Sequence, residues 1–213
     1  IAVARSTVRI EIPFMIGVTA LLFYQGRDGS ISLADGGVLM VAFAVYMMYL
    51  YTMAMKSNVD SDLEEPGLPL GRCLLGAVGG LALIIAGSNV TVVAATSIAT
   101  YAGLSERFIG LTIVALGTSL PELFTSVAAA RRGNADIAIG NIVGSNIFNI
   151  LFVVGLSSLI IDIPFASAFN FDTYVALGAA VLLWLCVLRT QRLQRWAGAL
   201  MLVCYAAYLG YIL

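Results

Sequence analysis

Long apolar stretches separated by short polar connections dominate this chain of 213 residues. A helix crosses the hydrocarbon core of a bilayer with about 20 apolar residues, whereas strands of a membrane barrel appear as ~10-residue segments of alternating polarity. The pattern is of the first kind. It predicts an all-α integral membrane protein, a multi-span helical bundle with helices at 10–25, 36–55, 73–100, 107–130, 136–160, 173–188 and 196–213.

The composition supports this prediction and excludes several classes of function. Hydrophobic residues make up 61% of the chain and charged residues 11%, whereas about a quarter of the residues of a soluble domain are charged. The net charge of −1, without a basic tract, gives no indication of nucleic-acid binding. The sequence contains no histidine, which excludes histidine metal sites and catalytic triads. Cys73, Cys186 and Cys204 lack metal-site spacing, and we interpret them as small apolar residues.

The distribution of positive charge predicts an orientation. With the predicted helices, only Arg27 and Arg107 fall on one side of the membrane. By the positive-inside rule, the opposite side, which carries more Lys and Arg, is cytoplasmic, so we expect the first residue inside and the last outside. The residues predicted to be cytoplasmic are Arg5, Arg9, Lys56, Arg72, Arg131, Arg132, Arg189, Arg192 and Arg195.

The most informative segment lies inside the predicted span 107–130 and reads Gly117-Thr118-Ser119-Leu120-Pro121-Glu122. An acid at bilayer depth is costly unless it is paired, hydrated or neutralised, so such acids mark ion or proton paths. Because Pro121 has no N–H, the carbonyl of Gly117 loses its helical partner close to Glu122. Carboxylate, hydroxyl and carbonyl oxygens are the ligands that Ca²⁺ and Na⁺ prefer, so the segment predicts a cation site.

A second segment of glycines and small polar residues interrupts the next predicted span at Gly140-Asn141-Ile142-Val143-Gly144-Ser145-Asn146. Paired interrupted spans are typical of the midplane binding site of a transporter. Asn141, Ser145 and Asn149 share one face of this helix, as Ala115, Thr118, Ser119 and Glu122 share one face of the other. The alternative is structural, with Glu122 as a protonated acid that bridges two helices and the glycines serving only helix packing.

The two motifs together resemble the second alpha repeat of the calcium/cation antiporter superfamily, in its sodium/calcium exchanger branch. The resemblance rests on Ala115-Leu116-Gly117-Thr118-Ser119-Leu120-Pro121-Glu122 followed by Gly140-Asn141-Ile142-Val143-Gly144-Ser145-Asn146-Ile147-Phe148-Asn149, and the flanking helices extend it over the chain. It implies part of an inverted-repeat antiporter fold. Residues 1–57 would be the last two helices of the first half, 58–72 an acidic cytoplasmic linker, and 73–213 the second five-helix half with its alpha repeat at about 107–160.

The resemblance also implies roles for the candidate residues. Glu122 would be the principal Ca²⁺ carboxylate of this half, and the Thr118 side of the broken helix would supply oxygen to the ions. Ser119, Ser145 and the carbonyl of Ala115 would help to coordinate Na⁺. Asn149 stands where some relatives have aspartate, which bears on stoichiometry and on the choice between Na⁺ alone and Na⁺ with K⁺.

A complete exchanger carries a second acidic motif in its first half, and no other stretch of these residues supplies one. We therefore expect a chain truncated by about three N-terminal helices, whose missing partner is the first alpha repeat. The expected location is the plasma (inner) membrane of a prokaryote.

The predicted function is secondary antiport of Na⁺ and Ca²⁺, with both ions as substrates, no cofactor and no enzymatic activity. Alternatives are H⁺/Ca²⁺ exchange, K⁺-dependent Na⁺/Ca²⁺ exchange and a non-transporting membrane scaffold. The motif disfavours H⁺ coupling, because proton-coupled relatives usually have Gly-Asn-x-x-Glu at this place. An intramembrane enzyme with a nucleophile at Ser119 or Ser145 would lack a histidine or nearby lysine to activate it.

Overall fold

A computed structural model describes residues 1–57, 69–103, 109, 113 and 115–212. The regular elements in the described part of the chain are helices and two short strands, β1 (Ser30–Ile31) and β2 (Ile163–Pro164). Its α-helices are α1 (Ile12–Gln25), α2 (Leu33–Ser57), α3 (Leu70–Tyr101), α4 (Ala115–Thr118), α5 (Leu120–Arg131), α6 (Ala135–Phe148), α7 (Gly155–Ser158), α8 (Phe169–Leu188) and α9 (Arg195–Ile212).

The predicted membrane helices are largely present. Within the described residues, five helical stretches are long and apolar enough to cross a membrane: Thr7–Asp28, Leu33–Lys56, Gly71–Tyr101, Ala135–Ser158 and Phe169–Leu188. The predicted span 196–213 corresponds to α9, and the span 107–130 corresponds in its second part to α4 and α5. Much of the first part of that span, at 107–108, 110–112 and 114, lies outside the described residues, as does residue 213.

The long helix α3 begins at Leu70, inside the stretch 58–72 that the sequence predicted as a linker. The rest of that stretch, up to residue 68, lies outside the described residues. Most apolar side chains of α3 are exposed, among them Leu75 and Leu83. An apolar helix with this much exposed surface is suited to contact with lipid.

The buried core joins the first two helices to the second motif helix. Ile12 of α1, Leu39 of α2, Ile147 of α6 and Leu151 after it are fully buried in one hydrophobic cluster. Close approach at its edge depends on Gly36, because a Cβ there would meet the Ser158 side chain and the Gly155 carbonyl oxygen. The core therefore fixes α6 against α1 and α2.

Short backbone pairings join connecting segments at both ends of α1. At one end, Val3 N donates to Gln191 O (2.8 Å) and Leu193 N donates to Ile1 O (2.8 Å). At the other end, β1 pairs with β2 in antiparallel register, with Ser30 opposite Pro164. Since residue 191 follows α8 and residue 164 precedes it, α1 and α8 run antiparallel.

The two predicted interruptions differ in form. The first is a true break, because α4 ends at Thr118 and α5 begins at Leu120. The second was expected at 140–146, but α6 is continuous through those residues and gives way to a π-helical segment at Asn149–Val154. Glycines 140 and 144 are thus accommodated within a regular helix, and the irregular backbone begins one turn beyond the polar motif.

Candidate cation-binding site

The break between α4 and α5 is centred on Ser119, whose φ of −94° and ψ of 1° lie outside the helical region. Pro121 stands in the first turn of α5, where a missing N–H costs no helical hydrogen bond. The helix then continues regularly, with Leu123 N donating to Ser119 O (3.0 Å). The carbonyl end of α4 and the first turn of α5 therefore meet at Ser119, three residues before Glu122.

A tight turn brings α5 and α6 together as an antiparallel pair. Gly133 has a φ of +79°, the left-handed conformation that glycine adopts without steric cost. Asn134 N closes the turn by donating to Ala129 O (2.9 Å). The first turn of α5 consequently lies opposite the second half of α6, where the polar residues of the second motif occur.

Asn141 joins the two helices through its side-chain amide. Its Nδ2 lies 3.2 Å from the main-chain oxygen of Glu122, 3.0 Å from Thr125 Oγ1 and 3.0 Å from Ser126 Oγ. Thr125 Oγ1 in turn donates to Pro121 O (2.8 Å) within α5. These contacts hold the backbone of Glu122 against α6.

A cavity of about 260 Å³ opens between the two helices. It contains one carboxylate, three hydroxyls and two side-chain amides, together with two apolar side chains. Its lining residues are Ser119, Glu122, Leu123, Ser126, Ile142, Ser145, Asn146 and Asn149.

The carboxylate of Glu122 is the central feature of this cavity. Its Oε2 is buried and has no hydrogen-bond partner within the described part of the chain. A buried carboxylate oxygen without a donor is unfavourable unless a positive charge is supplied to it. Hydroxyl and amide oxygens around it complete the kind of hard oxygen set that binds Na⁺ or Ca²⁺.

The structure brings together four of the seven residues proposed from sequence, since Ser119, Glu122, Ser145 and Asn149 line the cavity. Asn141 is not among the lining residues and instead connects α5 with α6. Thr118 and Ala115 are the last and first residues of α4, at the carbonyl side of the break, and Thr118 is not among the described residues that line the cavity.

Two polar lining residues, Ser126 and Asn146, were not proposed from sequence. Ser126 follows Glu122 by four residues and therefore shares its helical face, which is a signal that the sequence offered. Asn146 donates through Nδ2 to Ile142 O (2.8 Å), so its side-chain oxygen is the atom left to contact an ion. Ser126 lies beyond the first motif, whereas Asn146 lies inside the second motif but off the helical face that Asn141, Ser145 and Asn149 share.

Comparison with known proteins places these features in a family. The model of the family described as sodium/calcium exchanger protein matches residues 73–213. A putative antiporter, CaxA of Alkalimonas amylolytica, is 36% identical over 219 residues, which cover 98% of this chain and 69% of the relative. The sodium/calcium exchanger MaX1 of Methanosarcina acetivorans is 37% identical over 60% of this chain and 37% of its own length.

Solved structures give the same result for the fold. Structures of the sodium-calcium exchanger NCX_Mj superpose with a TM-score of 0.79 at 30% identity. The match covers 99% of this chain and 67% of the exchanger. The all-α fold with membrane-spanning helices is therefore that of a transporter.

Proposed function

Because the chain belongs to the sodium/calcium exchanger protein family, we propose that it is an antiporter that exchanges Na⁺ for Ca²⁺ at the cavity between α5 and α6. The observation that carries this proposal is the buried Oε2 of Glu122, which lacks a hydrogen-bond partner in the described residues and faces a set of hydroxyls and amides. A protonated Glu122 that bridged two helices through this oxygen would have given it a hydrogen-bond partner.

The proposed coupling follows from the cost of an uncompensated carboxylate. An ion-free site that has lost its water is expensive to carry between the two faces of a membrane. One Ca²⁺ or several Na⁺ neutralise it, so the site changes sides with one or the other bound. Exchange results because the two kinds of ion compete for the same oxygens.

Each residue has a proposed role. Glu122 is the principal Ca²⁺ carboxylate, and Ser119 and Ser145 contribute hydroxyl oxygen to Na⁺. The carbonyl of Ala115 and the Thr118 side of α4 supply oxygen from the carbonyl end of the broken helix, where the backbone dipole favours a cation. Asn149 supplies an amide oxygen at the start of the π-helical segment.

Asn141 is proposed to position the site through the backbone of Glu122. The two hydrogens of its amide nitrogen are already shared among three oxygen atoms of α5. This role replaces direct ion contact, which the sequence had predicted for it.

The proposal also includes the domain organisation, the orientation in the membrane and the movement that opens the site to each side. Residues 1–57 are the last two helices of a first half, residues 58–72 include an acidic cytoplasmic linker, and residues 73–213 are the second half. The first alpha repeat, in the first half, supplies further ligands to the same site. The first residue lies on the cytoplasmic side, which the positive-inside rule supports. Alternate access comes from movement of α3 against the core formed by α5 and α6.

The test is Na⁺-dependent uptake of radiolabelled Ca²⁺ by proteoliposomes. They contain the whole protein that the gene encodes. Liposomes loaded with Na⁺ should take up Ca²⁺ when placed in Na⁺-free medium, and a Na⁺ ionophore should abolish the uptake. Glu122→Gln should reduce uptake to the level of empty liposomes. Asp136→Asn is the matched control, because Asp136 is an exposed acid in the first turn of α6, outside the cavity.

The alternatives make different predictions in the same assay. Ca²⁺ uptake driven by a pH gradient and indifferent to Na⁺ indicates H⁺/Ca²⁺ exchange, and uptake that requires K⁺ as well as Na⁺ indicates the K⁺-dependent form. Absence of uptake under every gradient indicates a scaffold. Full uptake by Glu122→Gln would refute the assignment of the site.

A further inference from the structure

A second polar cavity lies at the end of α1 remote from residue 1. Its volume is about 430 Å³, and Tyr24, Gln25, Arg27, Asp28 and Asp35 line it. The last turn of α1, the 3₁₀ turn Gly26–Asp28 and the first turn of α2 form its walls. It shares no lining residue with the cavity at Glu122.

The amide of Gln25 is the unusual feature of this second cavity. The residue is only 7% exposed, although it lies at the end of a helix beside a polar loop. Its Nε2 donates to Asp35 O (3.2 Å), which fixes the orientation of the amide. Its Oε1 is buried and has no hydrogen-bond partner in the described residues. A buried carbonyl oxygen of this kind needs a positively polarised partner.

The two acids are held in place by their own loop. Asp35 Oδ2 accepts from Ser32 N (2.9 Å) and from Ser32 Oγ (2.6 Å) at the start of α2. Asp28 Oδ1 accepts from Ser30 N (3.3 Å). These bonds use one oxygen of each carboxylate, and an ionised carboxylate accepts on both of its oxygens. Both acids therefore keep an oxygen for a further ligand.

We propose that this cavity binds Ca²⁺ through the carboxylates of Asp28 and Asp35 and the amide oxygen of Gln25. Carboxylate and amide oxygens are the donors that a hard divalent cation prefers. Arg27 leaves the lining with a net charge of −1, so we expect weak binding, on the order of 10⁻⁴ to 10⁻³ M. With the orientation proposed above, the cavity faces the outside of the cell.

The bound ion would join the end of α1 to the start of α2. The turn that carries Asp28 is followed directly by β1, which pairs with the segment before α8. An ion here would therefore also stabilise the contact between β1 and β2. The inference is independent of transport, because Glu122 takes no part in it.

The experiment uses Tb³⁺, which replaces Ca²⁺ and luminesces when a neighbouring tyrosine is excited. Tyr24 lines the cavity and serves as the donor. The protein is purified in lipid nanodiscs with Glu122→Gln as background, so that the first cavity contributes little. We expect Tyr-sensitised emission that Ca²⁺ displaces, that Tyr24→Phe removes and that Asp28→Asn weakens at least tenfold in affinity.

A variant that is expected to bind the ion more tightly separates the loss of a ligand from misfolding, because a misfolded protein does not gain affinity. Arg27→Gln removes the positive charge from the lining and should tighten Tb³⁺ and Ca²⁺ binding severalfold. Absence of emission displaceable by Ca²⁺ overturns the proposal, as does emission that is unchanged in Tyr24→Phe and Asp28→Asn. If Asp28→Asn alters the circular dichroism spectrum, Arg27→Gln decides, and an unchanged affinity in that variant overturns the proposal.

Discussion

The side-chain amide of Asn141 lies 3.2 Å from the main-chain oxygen of Glu122 and donates a hydrogen bond to it. The same nitrogen reaches the hydroxyls of Thr125 and Ser126. Asn141 of α6 thereby fixes the position of the first two turns of α5 beside the cavity. The position of the acid consequently depends on a residue that does not line the cavity.

Replacing Asn141 with alanine tests this dependence. Interhelical hydrogen bonds in membranes contribute about 0.6 kcal/mol on average and up to about 1.7 kcal/mol, and Asn141 serves three acceptors. We expect Asn141→Ala to lower the free energy of unfolding by about 1–2 kcal/mol, measured by denaturant titration in detergent. It should also weaken Ca²⁺ binding, because the backbone of Glu122 loses its support.

Asn146→Ala is the matched control. This asparagine lies on the same helix, but its amide donates within α6, to Ile142 O (2.8 Å). Both substitutions gain the same intrinsic helix propensity, so the difference between the two variants isolates the interhelical bonds. Equal unfolding free energies for the two variants would show that Asn141 does not join the helices in the membrane.

The contact between Gly117 and Val92 makes a second prediction. A Cβ on Gly117 would overlap the side chain of Val92 on α3. Overpacking of this kind costs about 1–3 kcal/mol, so Gly117→Ala should destabilise the packing of α4 on α3 and slow Ca²⁺ uptake. Adding Val92→Ala removes the overlapping atoms and should restore most of the loss.

Gly140→Ala distinguishes steric overlap from a general effect of glycine. A Cβ at this position meets no atom outside its own helix within 4 Å, although Gly140 also lies in a motif helix. Alanine is favoured over glycine inside a helix by about 0.5–1 kcal/mol, so this variant should be at least as stable as the original chain. Failure of Val92→Ala to rescue Gly117→Ala would contradict the proposed contact.

Asn149→Asp tests whether the cavity responds to charge. The residue lines the cavity with Glu122, so a second carboxylate would add attraction for a divalent ion. At an effective dielectric constant near 20, a charge a few ångströms away contributes more than 1 kcal/mol, which predicts roughly tenfold tighter Ca²⁺ binding. Equilibrium binding of radiolabelled Ca²⁺ in detergent measures the change.

Asn134→Asp adds the same charge outside the cavity and serves as the control. Asn134 precedes α6 at the turn and is exposed. Its substitution should leave the Ca²⁺ affinity unchanged. An equal gain in both variants would show that the effect of Asn149→Asp comes from surface charge alone.

The sequence predicted the elements better than it predicted the geometry of the site. Long apolar runs identify spans such as α2 and α8, because burial in lipid imposes one polarity on a whole helix. The break just before Pro121 was predictable because proline removes a specific hydrogen bond. The glycines at 140 and 144 were misleading, since α6 tolerates them without interruption.

Contacts between helices set the limit of what the sequence could predict. The role of Asn141 depends on which face of α6 turns towards α5, and this is fixed by the turn at Gly133 and by the core around Ile147. The second polar cavity, which Gln25 lines, depends on the conformation of the connection between α1 and α2, and no sequence motif predicts that conformation. Local spacing indicates which residues share a helical face but not which neighbouring helix that face contacts.

Competition between Na⁺ and Ca²⁺ for the carboxylate of Glu122 is the central requirement of the proposed exchange. Equilibrium binding of radiolabelled Ca²⁺ to the purified protein, titrated with Na⁺ at constant ionic strength, measures this competition. We predict that Na⁺ displaces Ca²⁺ steeply, with more than one Na⁺ per Ca²⁺, and that Glu122→Gln abolishes the Na⁺-sensitive binding. Simultaneous binding of both ions, or unchanged Na⁺-sensitive binding in Glu122→Gln, would contradict the account.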